Sequence, residues 1–579
     1  MTAPDSRDEQ HVSDDGWFRS GAEVQEAPGF QKDTGVRESP ADPEGLPVRP
    51  GSWITSALTT PTTPPVREPD PVRERLRTPD PSDTGGDTAS AGGSRPLATV
   101  AAVLTAVLAS LGFGLYDLGH RQLWQDESAS WWAATLSWPD FVRLMQHIDV
   151  VLAPYYLLLH FWTEGFGTSP AALRMPSVIA TAATAGLLVL LGRRLFGTPQ
   201  GLVAALLYAA VPATTRYAQE ARPYAFAVLA AVAATLLLLR ALERSSGGRW
   251  ISYGLMVTCM GLTHLVTLTV LLSHAIVVTV HARREKRSSA QWWLGAFYGV
   301  LLLIPILAQG QLESAQVSWI STSWSALPDF PDQLFLSHWA AIGVMAAAVV
   351  GLLFQRKQAA LLLCWAVAPP VLLFATRNQL DLFLARYMLF TIPAWTLLAS
   401  AGLCTLAARL TPVRGRAFVQ TVLGVLAAAG LVLGTLPDLT VVHANPLAGQ
   451  PDFQSAGAFI AQREQPGDGI AVGGYSTQPL RLTDYMLRKG TVPDPVFLSR
   501  TPQQAGTYTG QPCPDPSQCA RSTDRIWLVT TTPTDSFYEQ MPTLQSQVLK
   551  TQFHVQDKGR FTGNLRVYLF VRNTPAGAA

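Results

Sequence analysis

Between residues 97 and 436 the chain alternates long apolar runs with short polar breaks. An apolar run of about 20 residues is long enough to cross a bilayer as a helix. The pattern predicts spans over residues 97–116, 170–192, 201–215, 224–241, 250–264, 265–281, 291–309, 336–354, 358–375, 383–404 and 417–436. About eleven transmembrane helices follow, as in a polytopic α-helical membrane protein. The stretch Ala153–Trp162 is different. Its apolar core is short, which favours a re-entrant or interfacial segment over a span. Treating it as non-spanning puts every basic cluster on one side: Arg193-Arg194, Arg240 to Arg249, His281 to Arg287, Arg356-Lys357 and Arg409 to Arg416. The positive-inside rule then sets the N-terminus in the cytoplasm, the C-terminus outside, and the chain as a multi-pass protein of the plasma membrane.

Outside the apolar region two further segments are expected. Residues 1–95 are polar and rich in Pro, Asp, Glu, Ser and Thr, without apolar periodicity. Such a segment buries too little surface to offset its chain entropy and reads as a disordered cytoplasmic tail. The first apolar run begins near Leu97, too late for a cleavable signal peptide. Residues 437–579 mix helical and strand patterns. Pro451–Arg463 and Pro479–Leu487 read as helices, and Gly469–Gly473, Arg525–Thr530 and Leu565–Val571 read as strands. This alternation implies a small α/β extracytoplasmic domain. Residues 96–436 form the membrane domain, with a large first outer loop over 117–169. In that loop Ser137-Trp138-Pro139-Asp140 has the form of a helix start, followed by apolar residues at helical spacing. It predicts an amphipathic helix lying in the interface.

Composition agrees and removes some classes. Hydrophobic residues make up 48% of the 579-residue chain and charged residues 15%, low for a soluble protein. A net charge of +2, with no basic stripe interleaved with aromatics, argues against nucleic acid as a partner. Cys259, Cys364 and Cys404 lie in apolar runs. Cys513 and Cys519 lie in the polar C-terminal part, and their spacing could close a small disulfide on an oxidising face. No set of residues has the spacing of a metal cage.

Four polar constellations fall on the outer side in this topology. The first is Asp126-Glu127, just after the first span and flanked by Trp124, Trp131 and Trp132. Adjacent acids at a membrane surface are functional candidates by default, and Asp126 is the candidate base. The second is His147, Asp149 and the Tyr155-Tyr156 pair, candidates for substrate contact. The third runs from Arg216 to Tyr224 and holds Arg216, Gln219, Glu220, Arg222 and Tyr224. Its arginines match phosphate oxygens, with a structural Glu–Arg pair as the alternative. The fourth is Arg386-Tyr387, a lone cation at a helix end, able either to meet a donor phosphate or to snorkel. His264 and His274 read first as packing histidines. Acids, phosphate-binding cations and aromatic faces beside a bilayer fit transfer of a sugar from a lipid phosphate. A carboxylate would take the proton of the acceptor hydroxyl and arginines would offset the charge growing on the leaving phosphate.

These residues resemble a known family. The Asp-Glu pair after the first helix, Tyr-Tyr-Leu-Leu-Leu-His at 155–160, Leu191 to Gly197 and the Tyr217-to-Ala225 segment are similar to the GT-C glycosyltransferases. The likeness is to the branch of protein O-mannosyltransferases and aminoarabinose transferases, especially bacterial mannosyltransferase-like proteins, over residues 97–436. It implies an inverting hexosyltransferase with a polyprenyl-phosphate sugar donor and a glycan, lipid or protein acceptor in the cell envelope, worked at the outer membrane surface among membrane lipids. It implies Asp126 as base with Glu127 beside it, Glu220 as a second acid and Arg386 on the donor phosphate. Leu152 or Ala153 stands where relatives often carry His or Lys. No organic cofactor is implied, and a divalent metal stays open. The alternative is a GT-C-like scaffold without catalysis or a transporter of lipid-linked sugar.

Overall fold

The computed structural model describes residues 91–574, apart from 287, 314–316, 410, 412–414, 474–477 and 533–535. The tail expected over residues 1–95 lies almost wholly outside the described residues. Ten helices lead through the first half of the chain: α1 (Ala91–Leu115), α2 (Gln125–Thr135), α3 (Trp138–Met145), α4 (Ala153–Phe166), α5 (Pro170–Leu195), α6 (Thr198–Ala210), α7 (Pro212–Ala218), α8 (Tyr224–Glu243), α9 (Gly247–Thr263) and α10 (Val270–Glu285).

Among the described residues, six helices are long and apolar enough to cross a membrane. Counting two bent pairs, Ala290–Leu301 with Ile304–Leu312 and Ala326–Phe335 with His338–Phe354, as one span each raises this to eight. The sequence pattern suggested about eleven, and the difference has local causes. The 201–215 run is broken at Val211-Pro212 into α6 and α7. A proline lacks the N–H that would carry the helix on. The 250–264 run forms the 17-residue α9, and the 358–375 run forms a short apolar helix, Ala359–Ala375. The Ala153–Trp162 stretch forms the 14-residue α4 and is not among the candidate spans.

The bundle has a centre and a rim. α5, α8 and the segment Ala385–Arg409 are mostly buried by other helices, whereas α1 and Arg416–Gly434 are mostly uncovered. Uncovered does not mean polar: Leu97, Leu104, Leu108, Phe418, Leu426 and Leu433 all point outward. Apolar side chains displayed this way suit hydrocarbon, which is as apolar as they are. At the centre, α5 and α6 touch backbone to backbone. A Cβ added at Gly192 would lie 2.5 Å from the Gly201 Cα, so only glycine allows this approach.

Three helices, α2, α3 and α4, shape the first loop. Ser137 caps α3 by accepting from the Asp140 N–H, with Pro139 in the first turn, and α3 buries Phe141 and Leu144. Beyond residue 437 stands a five-stranded sheet of order β2-β1-β5-β7-β6, built from β1 (Gly469–Gly473), β2 (Asp494–Pro495), β5 (Arg525–Thr530), β6 (Phe553–Arg560) and β7 (Arg566–Arg572). β3 (Leu498–Arg500) and β4 (Gln511–Pro512) form a separate pair. β1 is parallel to β2 and β5, and β7 is antiparallel to β5 and β6. Both faces of β5 are covered, which explains its unbroken apolar run. Ile526 and Leu528 pack with Phe570 and Leu549 on one face. Trp527 and Val529, on the other, share a core with Trp131, Phe141, Tyr156 and Leu159 of the first loop. The sheet domain and the loop helices are therefore one packed body, joined through a common hydrophobic core.

Candidate functional site

Glu127 and Arg174 set the foundation of the site. Glu127 is fully buried at the start of α2, and Arg174, also fully buried, reaches it from α5. Arg174 Nε donates to Glu127 Oε1 and Nη2 to Oε2, each at 2.8 Å. The remaining Arg174 donors go to the carbonyls of Leu118, Arg121 and Gln122. Glu127 Oε1 also accepts from the Ala221 N–H at 2.9 Å. Burial alone would push this carboxyl up. The Arg174 ion pair and hydrogen bonds, with Arg121 and the Ala221 N–H, outweigh burial and hold it at about 2. Glu127, grouped with Asp126 as a catalytic acid on sequence grounds, has both carboxylate oxygens committed to hydrogen bonds within the protein. Its oxygens are occupied by an arginine that the sequence reading did not single out.

Asp126, one residue earlier in α2, is left partly open to solvent. Its Oδ2 lies 3.7 Å from Arg386 Nη2. Between them and the third constellation stands Trp124. The Arg386 guanidinium lies 5.5 Å from the Trp124 ring centroid and that of Arg216 5.7 Å from it. Two cations on one indole are favourable individually, since the ring faces are electron-rich. They also repel each other, and the arrangement gains when an anion joins it. Arg216 Nη1 donates to Glu220 Oε2, the pair that was the alternative reading of this loop. Burial pushes the Glu220 carboxyl up; Arg216 pulls it down, and Glu127 and Asp126 push it up again. Tyr217, Tyr224, His264 and Tyr387 wall the same region, with His264 and Tyr387 rings 4.8 Å apart and Tyr217 and Tyr224 5.6 Å apart.

One property separates this region from an ordinary polar core. Buried polar atoms in native proteins are almost always hydrogen-bonded. Here Glu220 Oε1, Trp124 Nε1, Arg222 Nε, Arg386 Nε and His264 Nδ1 are buried and make no hydrogen bond among the described residues. Donors outnumber acceptors, so an anionic or oxygen-rich guest would satisfy them.

The second constellation is divided. Asp149 sits in a left-handed conformation (φ 61°), where it accepts from the hydroxyls of Tyr156 at 2.9 Å and Tyr508 at 2.7 Å. Arg222 Nη1 reaches the Tyr156 hydroxyl at 3.4 Å, which ties this group to the third constellation. Tyr155 packs against Tyr156 and Phe226 inside the core. His147 is exposed and bonds to its own helix at the Arg143 carbonyl, 2.7 Å away, so it stands apart from the cluster. Gln219, a candidate for substrate contact, instead donates to the carbonyls of Gly114 and Tyr116 at the end of α1. His147 is held by a carbonyl one turn back in its own segment, whereas Gln219 is held across the fold by carbonyls at the end of α1.

The sequence reading also missed Arg121 and Arg481. Arg121 is buried and bridges the Val442 and Gln219 carbonyls at 2.8 and 2.6 Å. Arg481 comes from the sheet domain, is buried, and lies 4.6 Å from the Tyr508 ring. It brings a cation toward Asp149 and Asp126 from a segment far away in sequence. Cys513 and Cys519 form the disulfide anticipated from their spacing. Among the described residues no group of three or more His, Cys, Asp and Glu is placed to hold a metal ion.

Residues 151–308, roughly a quarter of the chain, match the family model described as dolichyl-phosphate-mannose-protein mannosyltransferase. The structure is similar to ArnT from Cupriavidus metallidurans in the apo state, at 14% identity and a TM-score of 0.54, covering 82% of this chain and 98% of that one. ArnT from the same organism bound to undecaprenyl phosphate is similar at 14% identity and a TM-score of 0.50, covering 83% and 98%. The chain has the GT-C fold. The oligosaccharyltransferase of Archaeoglobus fulgidus in the apo form aligns at 11% identity and a TM-score of 0.46, covering 83% of this chain and 75% of that one. No curated protein matches the chain by sequence. The GT-C fold and the apolar helices make it a multi-pass membrane protein.

Proposed function

We propose that the protein is a membrane glycosyltransferase that moves a sugar, mannose or another hexose, from a polyprenyl phosphate to a hydroxyl of a cell-envelope acceptor. The observation that carries this is the cluster of unsatisfied buried polar atoms beside Asp126, Arg386 and Trp124. The name of the matching family, which joins a dolichyl phosphate to mannose, and the undecaprenyl phosphate held by the similar ArnT support the donor class.

Asp126 is the base. It accepts the proton of the acceptor hydroxyl as that oxygen forms its bond to the anomeric carbon. The bond from that carbon to the phosphate oxygen breaks, and the polyprenyl phosphate leaves with the electron pair. Attack from the face opposite the leaving group inverts the anomeric centre. Arg386, with Arg222 nearby, offsets the charge that grows on the phosphate. Tyr217, Tyr224 and Tyr387 offer aromatic faces to the sugar or the isoprenoid. In this reading the site faces outward from the plasma membrane, with the N-terminus in the cytoplasm. The test is transfer or release of labelled hexose from a panel of polyprenyl-phosphate hexoses by the purified full chain. Consumption of one donor, with competition by undecaprenyl phosphate, is expected. No consumption of any donor, in protein that also fails to bind undecaprenyl phosphate, overturns the assignment.

A further inference from the structure

At the other end of α5 and α8 lies a second polar cavity that the transfer chemistry does not use. It is a cleft of about 530 Å³ whose lining includes Arg194, Arg240, Arg244 and Arg249, with Glu243 the one acid among the described lining residues. α8 begins at Tyr224, in the wall of the candidate active site, and ends at Glu243. At 1.5 Å per residue its 20 residues place the cleft roughly 30 Å away, at the opposite membrane face.

The four arginines are not equivalent. Arg194 is neutralised by Glu243 at 2.8 Å. Arg249 caps α8, donating to the carbonyls of Arg240 and Arg244 at 2.8 Å. The guanidiniums of Arg240 and Arg244 have no hydrogen bond or ion pair among the described residues, and both are exposed. Orientation by the positive-inside rule would explain basic residues on this face. It does not explain why two unpaired guanidiniums line one concave site with a third held beside them by backbone carbonyls. α9 starts at Gly247, so the positive end of its dipole adds to the same side. Leu237 gives the cleft an apolar wall one turn deeper in the span.

We propose that this cleft binds the phosphate of an anionic membrane lipid, with Arg240 and Arg244 as its ligands and the acyl chains lying along α8 and α9. Guanidinium forks match phosphate oxygens two at a time, and basic pockets between membrane helices suit anionic head groups. A lipid is favoured over a free anion because the cleft opens at the end of membrane-spanning helices beside Leu237.

The experiment uses the full chain in nanodiscs of phosphatidylcholine, with and without phosphatidylglycerol, and reads co-purified lipid by native mass spectrometry and the thermal midpoint. Phosphatidylglycerol should be retained selectively and should raise the midpoint. Arg240→Ala/Arg244→Ala should weaken that retention about tenfold or more, as expected for two cations near the membrane surface. Arg283→Ala/Arg284→Ala, which removes two charges from the end of α10, should leave it unchanged. Equal loss in both pairs, or loss in neither, overturns the site in favour of general surface charge. Stabilisation by inorganic phosphate in phosphatidylcholine alone, without selective phosphatidylglycerol retention, overturns the lipid in favour of a soluble anion. If the alanine pair does not fold, Arg240→Gln/Arg244→Gln applies the same test.

Discussion

Glu127→Gln separates a structural acid from a catalytic one. The substitution keeps the shape of the side chain and removes its charge, leaving Arg174 buried with an unpaired cation. Removing one partner of a buried ion pair costs about 3–5 kcal/mol. The depressed carboxyl of Glu127 corresponds to a similar figure, since about 2 rather than 4.5 is worth roughly 3 kcal/mol. A carboxylate whose folded value lies below its unfolded one contributes its stability above the unfolded value. That contribution is lost as pH falls from 4.5 toward about 2. The thermal midpoint in detergent should therefore drop in Glu127→Gln at neutral pH, and the gap from the parent should narrow as the solution is acidified through that window. Glu127→Gln/Arg174→Met, which removes both charges, should recover part of the loss. A Glu127→Gln protein as stable as the parent at neutral pH, yet without transfer, would refute the structural assignment.

Other outcomes follow from the same contacts. Tyr508→Phe removes one of the two hydroxyls on Asp149 and should cost about 1–3 kcal/mol. Hydrogen exchange should show it as faster opening of residues 437–574 against the first loop, whose shared core it leaves intact. Burial pushes the Asp484 carboxyl up to about 7, with Arg481 pulling it down, so the folded protein favours its protonated form. Stability that depends on that form is present below 3.8 and is lost as pH rises through about 7. Asp484→Asn should flatten the pH dependence of the thermal midpoint in this window, and an unchanged slope would show that the group does not couple to folding. Arg386→Ala should raise the donor KM and slow transfer, because it removes the cation that faces Asp126, and Arg386→Lys should recover only part.

Much of this was legible in the chain, and the failures share a physical form. Two helices and three strands of the sheet domain announced themselves through periodicity, as in the buried run Arg525–Thr530, whereas β6 and the helix Thr543–Gln552 did not. The α3 cap, the Cys513–Cys519 disulfide and the polar loop around Glu220 were also readable. The span count was less so, because hydropathy counts apolar residues and does not see a break such as Val211-Pro212. Within the site, residue type could nominate Asp126 and Glu127 but could not rank them by chemistry alone. That ranking depends on Arg174, hidden in a helical run where its charge reads as an interruption. Gln219 and His147 were nominated by proximity in sequence, and each is bound instead by a nearby backbone carbonyl. Arg481 had no local signal, because only the fold carries it to the site.

The decisive measurement is the rate of sugar transfer by Asp126→Asn, made on full-length protein whose thermal midpoint matches the parent. With Asp126 as the base beside Arg386, the rate should fall about 10²–10⁴-fold while undecaprenyl phosphate still binds. Transfer at the parental rate by the folded variant would contradict the role of Asp126 and the site built around it.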